Sequence, residues 1–103
     1  MKKRNNILRN LLKAGKPSLG VHMHVSWPGF VEVVGHTKVI DYIEFSGEYA
    51  PYDLYALENF GRAVDLFPHM TSMIKIDQAP RLFLASRAIG SGIPNLLFSD
   101  IRT

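Results

Sequence analysis

Four side chains with usable chemistry stand close to segments that read as strands. Glu48 and Tyr49 put a carboxylate and a phenol side by side in a stretch punctuated by Gly47 and Pro51. Lys75 lies near the carboxyl end of an apolar run, and His22 lies within an earlier one. An ammonium or a phenol can meet negative charge that develops on a carbonyl oxygen. A lysine of lowered pKa can instead form a Schiff base. As a base at neutral pH a phenol, near pKa ~10, is poorer than an imidazole, near ~6.5. His22 and His24 are two apart and so share one face of a strand, which suits either two metal ligands or the lining of a pocket. Each residue also has a plainer reading. Glu48 can be a solvated loop carboxylate, Tyr49 a packing ring, and Lys75 a strand-end lysine reaching for solvent. Glu44, in an apolar strand, calls for a partner and could face His24 or Lys75. His36 and His69 read as surface residues at helix–strand junctions. Gly90-Ser91-Gly92 could cradle a phosphate, but two glycines there read more simply as a helix cap. Asp100 is placed for a site at the end of the last strand.

The elements that must hold these residues follow from periodicity. Ile7, Leu8, Leu11, Leu12 and Ala14 form one helical stripe, stopped by Gly15 and Pro17, and predict an amphipathic helix covering the end of a sheet. Residues 18–25 alternate apolar and polar and predict the first strand. Trp27-Pro28-Gly29 reads as a turn, 30–34 as a short helix ending near Gly35, and 38–45 as the second strand. Asp53 is placed to cap a helix over 53–67, in which Leu54, Leu57, Phe60, Val64 and Phe67 recur at three- and four-residue steps before Pro68. Residues 70–76 predict a third strand, 80–89 a helix closed by Gly90 and Gly92, and 95–98 a fourth strand. Alternation of this kind argues for a parallel sheet with right-handed crossovers. In such folds chemistry sits at the carboxyl ends of the strands. A complete (β/α)8 barrel takes about 250 residues, so this chain predicts either an open α/β layer or the first half of a barrel.

Composition narrows the function classes. The 103 residues are 47% apolar and 20% charged, ordinary for one globular domain with a modest core. The absence of cysteine rules out a disulfide framework and a thiolate metal site, and suits a cytoplasmic setting. No run approaches the ~18 apolar residues of a membrane span, so no membrane partner is expected. The net charge of +3 comes from Lys2, Lys3, Arg4, Arg9, Lys13 and Lys16, whereas residues 17–103 carry six basic and nine acidic side chains. The body therefore lacks the basic stripe with interleaved aromatics that a nucleic-acid partner would need. The longest apolar run of the basic start is Leu11-Leu12, too short for a signal peptide.

An ordered set of motifs resembles the start of the HpcH/HpaI aldolase family. It comprises Leu12-Lys13-Ala14-Gly15-Lys16-Pro17, Gly20-Val21, Asp41-Tyr42-Ile43-Glu44-Phe45 and Gly47-Glu48-Tyr49-Ala50-Pro51. It continues through Met73-Ile74-Lys75 and Arg87-Ala88-Ile89-Gly90-Ser91-Gly92 to Leu96-Leu97-Phe98. The resemblance implies an α/β fold: a parallel four-stranded partial TIM (β/α)8 barrel with an N-terminal amphipathic helix. It implies a single segment over 1–103 that stops after the fourth strand. The implied activity is cleavage of a hydroxy-oxo acid to pyruvate and an aldehyde, through an enolate held by a divalent metal, magnesium or manganese. The two carboxylates that hold that metal come from later strands, so none of its ligands is expected in this chain. Tyr49 stands where the family loop has a histidine, Lys75 where it has an arginine, and Gly90 where it has an aspartate. Tyr49 and Lys75 are accordingly expected as catalytic residues and His22 and Glu48 as substrate-binding ones. The expected partners are an oxo-acid substrate and further copies of the chain in a homo-oligomer. The competing expectation is a non-catalytic half-barrel that homodimerises through its exposed strand edges.

Overall fold

The computed structural model describes residues 5–101. Lys2, Lys3 and Arg4 of the basic start, and Arg102 and Thr103 of the loop expected after the fourth strand, lie outside the described residues. The chain runs α1 (Ile7–Lys13), β1 (Gly20–Met23), α2 (Pro28–Thr37), β2 (Tyr42–Ser46), α3 (Leu54–Asp65), β3 (Thr71–Ile76), α4 (Arg81–Gly90) and β4 (Asn95–Phe98). The four strands form one sheet in the order β1-β2-β3-β4, each paired in parallel with the next in sequence. This is the expected α/β alternation, laid out as consecutive units of a barrel wall.

Local chemistry fixes the ends of the helices. Asn6 accepts a hydrogen bond from the Arg9 amide at the start of α1, and Asp53 accepts one from the Ala56 amide at 2.8 Å at the start of α3. Gly15 and Gly92 both adopt positive φ, and beyond each the chain closes on the helix. Lys16 donates to the Leu11 carbonyl and Ile93 to the Ala88 carbonyl. This is the left-handed closure glycine favours. Gly92 thus provides the cap expected of the Gly-Ser-Gly stretch, while Gly90 is the last helical residue.

Some boundaries differ from expectation for identifiable reasons. The second helix takes in Pro28 and Gly29, with Trp27 as its extended N-cap, because proline at the first helical position loses no needed donor. It also runs through Gly35, whose bare Cα makes room for the Phe67 ring; a Cβ there would stand 2.7 Å from ring atoms. Lys38 then ends the helix at φ 62 instead of opening a strand. Consequently β2 begins only at Tyr42 and Val39 lies exposed. Strand β1 is shorter than 18–25; Leu19 and Val25 are exposed beyond its two ends. In α1 only Leu8 is buried, and Leu12 faces solvent. The helix docks as expected at a sheet end, where Asn6 exchanges side-chain hydrogen bonds with Asn95 at the amino end of β4.

The two faces of the sheet have different characters. Met23, Phe45, Ile74 and Leu96 lie in one register row, and with Ile43 and Ile76 they meet Val31, Val34, Leu57, Phe60, Val64, Leu84 and Ala88 of α2, α3 and α4. That layer is the apolar core. The opposite face carries polar rows: His22, Glu44, Met73 and Asn95 in one, and Ser46, Lys75 and Leu97 in the next toward the carboxyl ends.

Candidate functional site

The carboxyl end of β2 turns sharply. The amides of Tyr49 and Ala50 both donate to the Ser46 carbonyl at 3.0 Å. Gly47 passes so close to β3 that a Cβ on it would stand 3.0 Å from the Lys75 carbonyl oxygen. This near approach returns the loop over the end of β3 and sets Glu48 and Tyr49 beside Lys75. The Lys75 Nζ is 3.0 Å from Glu48 Oε1, donates to the Tyr49 hydroxyl at 3.3 Å, and lies 4.8 Å from the centre of the Tyr49 ring.

The three groups hold one another in defined charge states. Hydrogen bonding with Tyr49, then with Lys75, keeps the Glu48 carboxyl below its ordinary range, with Ser99 a smaller contributor. Hydrogen bonding to Glu48, then to Tyr49, raises the Lys75 ammonium above its ordinary value. A lysine so placed keeps its proton at neutral pH. The Schiff-base alternative, which needs a free amine, is therefore disfavoured by the site itself. The arrangement can do something else: present a fixed positive charge and a phenol to an oxygen that gains charge.

His22 is not part of this trio. It lies one row deeper, with Nδ1 at 3.1 Å from Glu44 Oε2 and 3.3 Å from Ser46 Oγ. Glu44 is buried, its side chain 6% exposed, and it meets His22 and Ser46, so its partner is neither His24 nor Lys75. Register decides this, because His22 lies directly opposite Glu44. Two ring contacts join the deeper row to the rim: His22 to His24 at 6.3 Å between centroids, and His24 to Tyr49, nearly parallel, at 6.5 Å.

Three residues near the site were not singled out by sequence. Ser46 shares the face of Glu44 by two-residue spacing, a signal open to inspection. Ser99 is buried just past β4, donates to the Ile76 carbonyl and accepts from Arg81 through its own carbonyl. Nothing local marks Ser99 or Arg81, because their contacts cross between strand ends. Other expectations resolve plainly. Asp100 is exposed and stands outside the cluster. His36 is exposed, with its ring edge on Phe67. His69, expected at the surface, is half-buried, its ring against Phe67 and its Nε2 enclosed. A hollow lined by Asn5, Asp65, Phe67, Pro68 and Met70 lies at the amino end of β3, opposite the rim.

No family model and no curated protein matches the chain. Solved structures do. An HpcH/HpaI aldolase from Desulfitobacterium hafniense DCB-2 superposes with a TM-score of 0.76 at 20% identity over 89% of this chain. The citrate synthase SbnG matches with a TM-score of 0.80 at 15% identity over 91%, and macrophomate synthase with 0.78 at 15% over 95%. The chain has the fold of part of an aldolase-type barrel. It spans 35%, 37% and 33% of those three structures' own lengths.

The magnesium or manganese implied by the family resemblance finds no fit here. Among the described residues no three His, Asp or Glu side chains are grouped so as to hold a metal ion. The carboxylate at the rim, Glu48, is engaged by Lys75. No helix among the described residues is long and apolar enough to cross a membrane.

Proposed function

We propose that residues 1–103 form one segment of a barrel and supply part of the active site of a carbon–carbon lyase that cleaves a hydroxy-oxo acid to pyruvate and an aldehyde. The supporting observation is the meeting of Glu48, Tyr49 and Lys75 at the carboxyl rim of a parallel sheet with the aldolase-barrel fold. Breaking the carbon–carbon bond makes the carbon–carbon double bond of the pyruvate enolate and leaves negative charge on the enolate oxygen. Lys75, kept charged by Glu48, and the Tyr49 hydroxyl are the groups that meet that oxygen. Glu48 holds Lys75 in place and, with His22 beneath, lines the substrate pocket. Carboxylates for a divalent cation would come from outside the described residues. The working form is a homo-oligomer in the cytoplasm.

The test is pyruvate release from 4-hydroxy-2-oxo acids by the protein expressed from its whole reading frame, with and without magnesium or manganese. Lys75→Met should lower kcat by about 10²–10³-fold, as loss of an oxyanion donor does. Folded wild-type protein that releases no pyruvate with either cation refutes the reading.

One observation favours a second reading. Among the described residues, strands β1 and β4 each have a single neighbour, and Leu97, Phe98 and Ile101 are exposed at the β4 end. A non-catalytic chain could pair copies through these edges. A dimer indifferent to divalent cations, together with no pyruvate release, would support it.

A further inference from the structure

The hydrogen bonds around Glu44 determine which nitrogen of His22 carries a proton. Ser46 Oγ donates to Glu44 Oε2 at 2.9 Å, so the single serine hydrogen is spent on the carboxylate. What Ser46 then offers His22, 3.3 Å away, is an oxygen lone pair. The other neighbour of His22 Nδ1, at 3.1 Å, is the same carboxylate oxygen. Both groups facing Nδ1 are acceptors, so Nδ1 must be the N–H. In the neutral ring Nε2 is then the unprotonated nitrogen. A buried carboxylate needs donors, and Glu44, with its side chain 6% exposed, has a serine and a histidine as its partners. The imidazole side chain is 69% exposed, on the polar face of the sheet one row below Lys75.

We infer that His22 is the proton carrier of this site, with Glu44 and Ser46 as the positioning residues that hold it as the Nδ1–H tautomer. The inference rests on the lyase reading and adds the base that Glu48, Tyr49 and Lys75 lack. Glu48 is bound to an ammonium, the Tyr49 hydroxyl is engaged by the same ammonium, and Lys75 is protonated. In cleavage, His22 Nε2 takes the proton of the substrate 4-hydroxyl. The freed oxygen pair forms the aldehyde carbonyl, and the bond between carbons 3 and 4 breaks. Its electron pair becomes the carbon–carbon double bond of the enolate, and the former carbonyl pair stays on the oxygen beside Lys75 and Tyr49. The imidazolium then returns the same proton to carbon 3, giving the pyruvate methyl group. No further reactant is required.

Two measurements test this. The first is the His22 tautomer, read by long-range nitrogen–proton correlation on histidine-labelled protein at a pH where the ring is neutral. His22→Gln assigns the signal. Wild type and Ser46→Ala should show Nδ1–H, because Glu44 remains an acceptor in both. Glu44→Leu should switch the ring to Nε2–H, because the freed Ser46 hydroxyl then donates to Nδ1. Dispersed amide spectra establish that each variant is folded. Wild-type His22 found as the Nε2–H tautomer, or unmoved by Glu44→Leu, overturns the inference and leaves the lyase reading standing. The second is deuterium exchange into the pyruvate methyl group, catalysed by the whole protein in heavy water. His22→Gln should slow it by about 10²–10⁴-fold, the usual share of a general acid–base group. Absence of exchange in wild type overturns the carrier role together with the lyase reading, even with the expected tautomer. Exchange unaffected by His22→Gln overturns the carrier role alone.

Discussion

Alanine at Gly61 sets helix propensity against packing, and the structure determines which wins. Gly61 is buried within α3, where alanine is worth about 1 kcal/mol more than glycine in an otherwise free helix. A Cβ at this position would stand 2.3 Å from the Ser91 carbonyl oxygen, against 3.4–4 Å for ordinary contact. The obstacle is backbone, so no change of rotamer relieves it. Nor is the carbonyl loose: Ser91 caps α4, and the Gly92 and Ile93 amides bind the Ile89 and Ala88 carbonyls on either side of it. Moving it by about 1 Å means displacing the end of α4. Overpacking typically costs about 1–3 kcal/mol, and a rigid backbone contact belongs at the upper end. After the propensity gain, Gly61→Ala should destabilise the protein by about 1–2 kcal/mol. Gly90→Ala is the matched control. Gly90 is helical at negative φ, and a Cβ there meets nothing within 4 Å. That substitution should stabilise by about 0.5–1 kcal/mol. Urea unfolding followed by circular dichroism reads both. With m of about 1–3 kcal/mol/M, Gly61→Ala lowers the midpoint by about 0.3–2 M and Gly90→Ala raises it. A Gly61→Ala midpoint at or above wild type, with m unchanged, would refute the argument that α3 and α4 are in backbone contact at this point.

Two further predictions concern charge. Glu48 is held below its ordinary 4.5 and Lys75 above its ordinary 10.5. The carboxylate's contribution to stability is therefore present above pH 4.5 and lost as pH falls through the lowered value. The ammonium's contribution is present below pH 10.5 and lost as pH rises through the raised value. Glu48→Gln should move the Lys75 titration, followed by NMR of its side-chain methylene groups, down toward 10.5; an unmoved curve refutes the pair. Tyr52 is raised above its ordinary 10.0, first by burial and then by the charge of Asp77. Asp77→Asn should return its ultraviolet titration only part of the way, and a complete return would show that burial is not the larger cause.

Much of the fold is legible in the sequence because its signals are local. Asp53, the Leu57–Phe60–Val64 stripe and Pro68 predict α3 closely, and the alternation of units predicts the parallel sheet. The signals failed where a tertiary contact overrode them. Gly35 reads as a helix stop, yet it is a packing site for Phe67, so α2 continues to Thr37. Lys38 and Val39 read as strand, but a left-handed Lys38 caps that longer helix and delays β2. Each error follows from the one before it, along a single stretch of chain.

The candidate site divides along the same line. Glu48, Tyr49 and Lys75 were accessible because loop punctuation and strand ends are marked in sequence, and the rim of a parallel sheet gathers such positions. The pairing within the row beneath was not accessible, because a strand's period shows which face a residue takes but not what stands opposite. Glu44 illustrates the gap. Its need for a partner follows from its apolar surroundings, but the sequence pointed to His24 or Lys75. The pairing of Val21 with Ile43 and of His22 with Glu44 gives it neither of these and sets His22 beside it instead. A slip of one residue would turn Glu44 toward Phe60 and the core, where an unpaired carboxylate is prohibitively costly. The buried acid therefore enforces the same strand register that places His22 beside it.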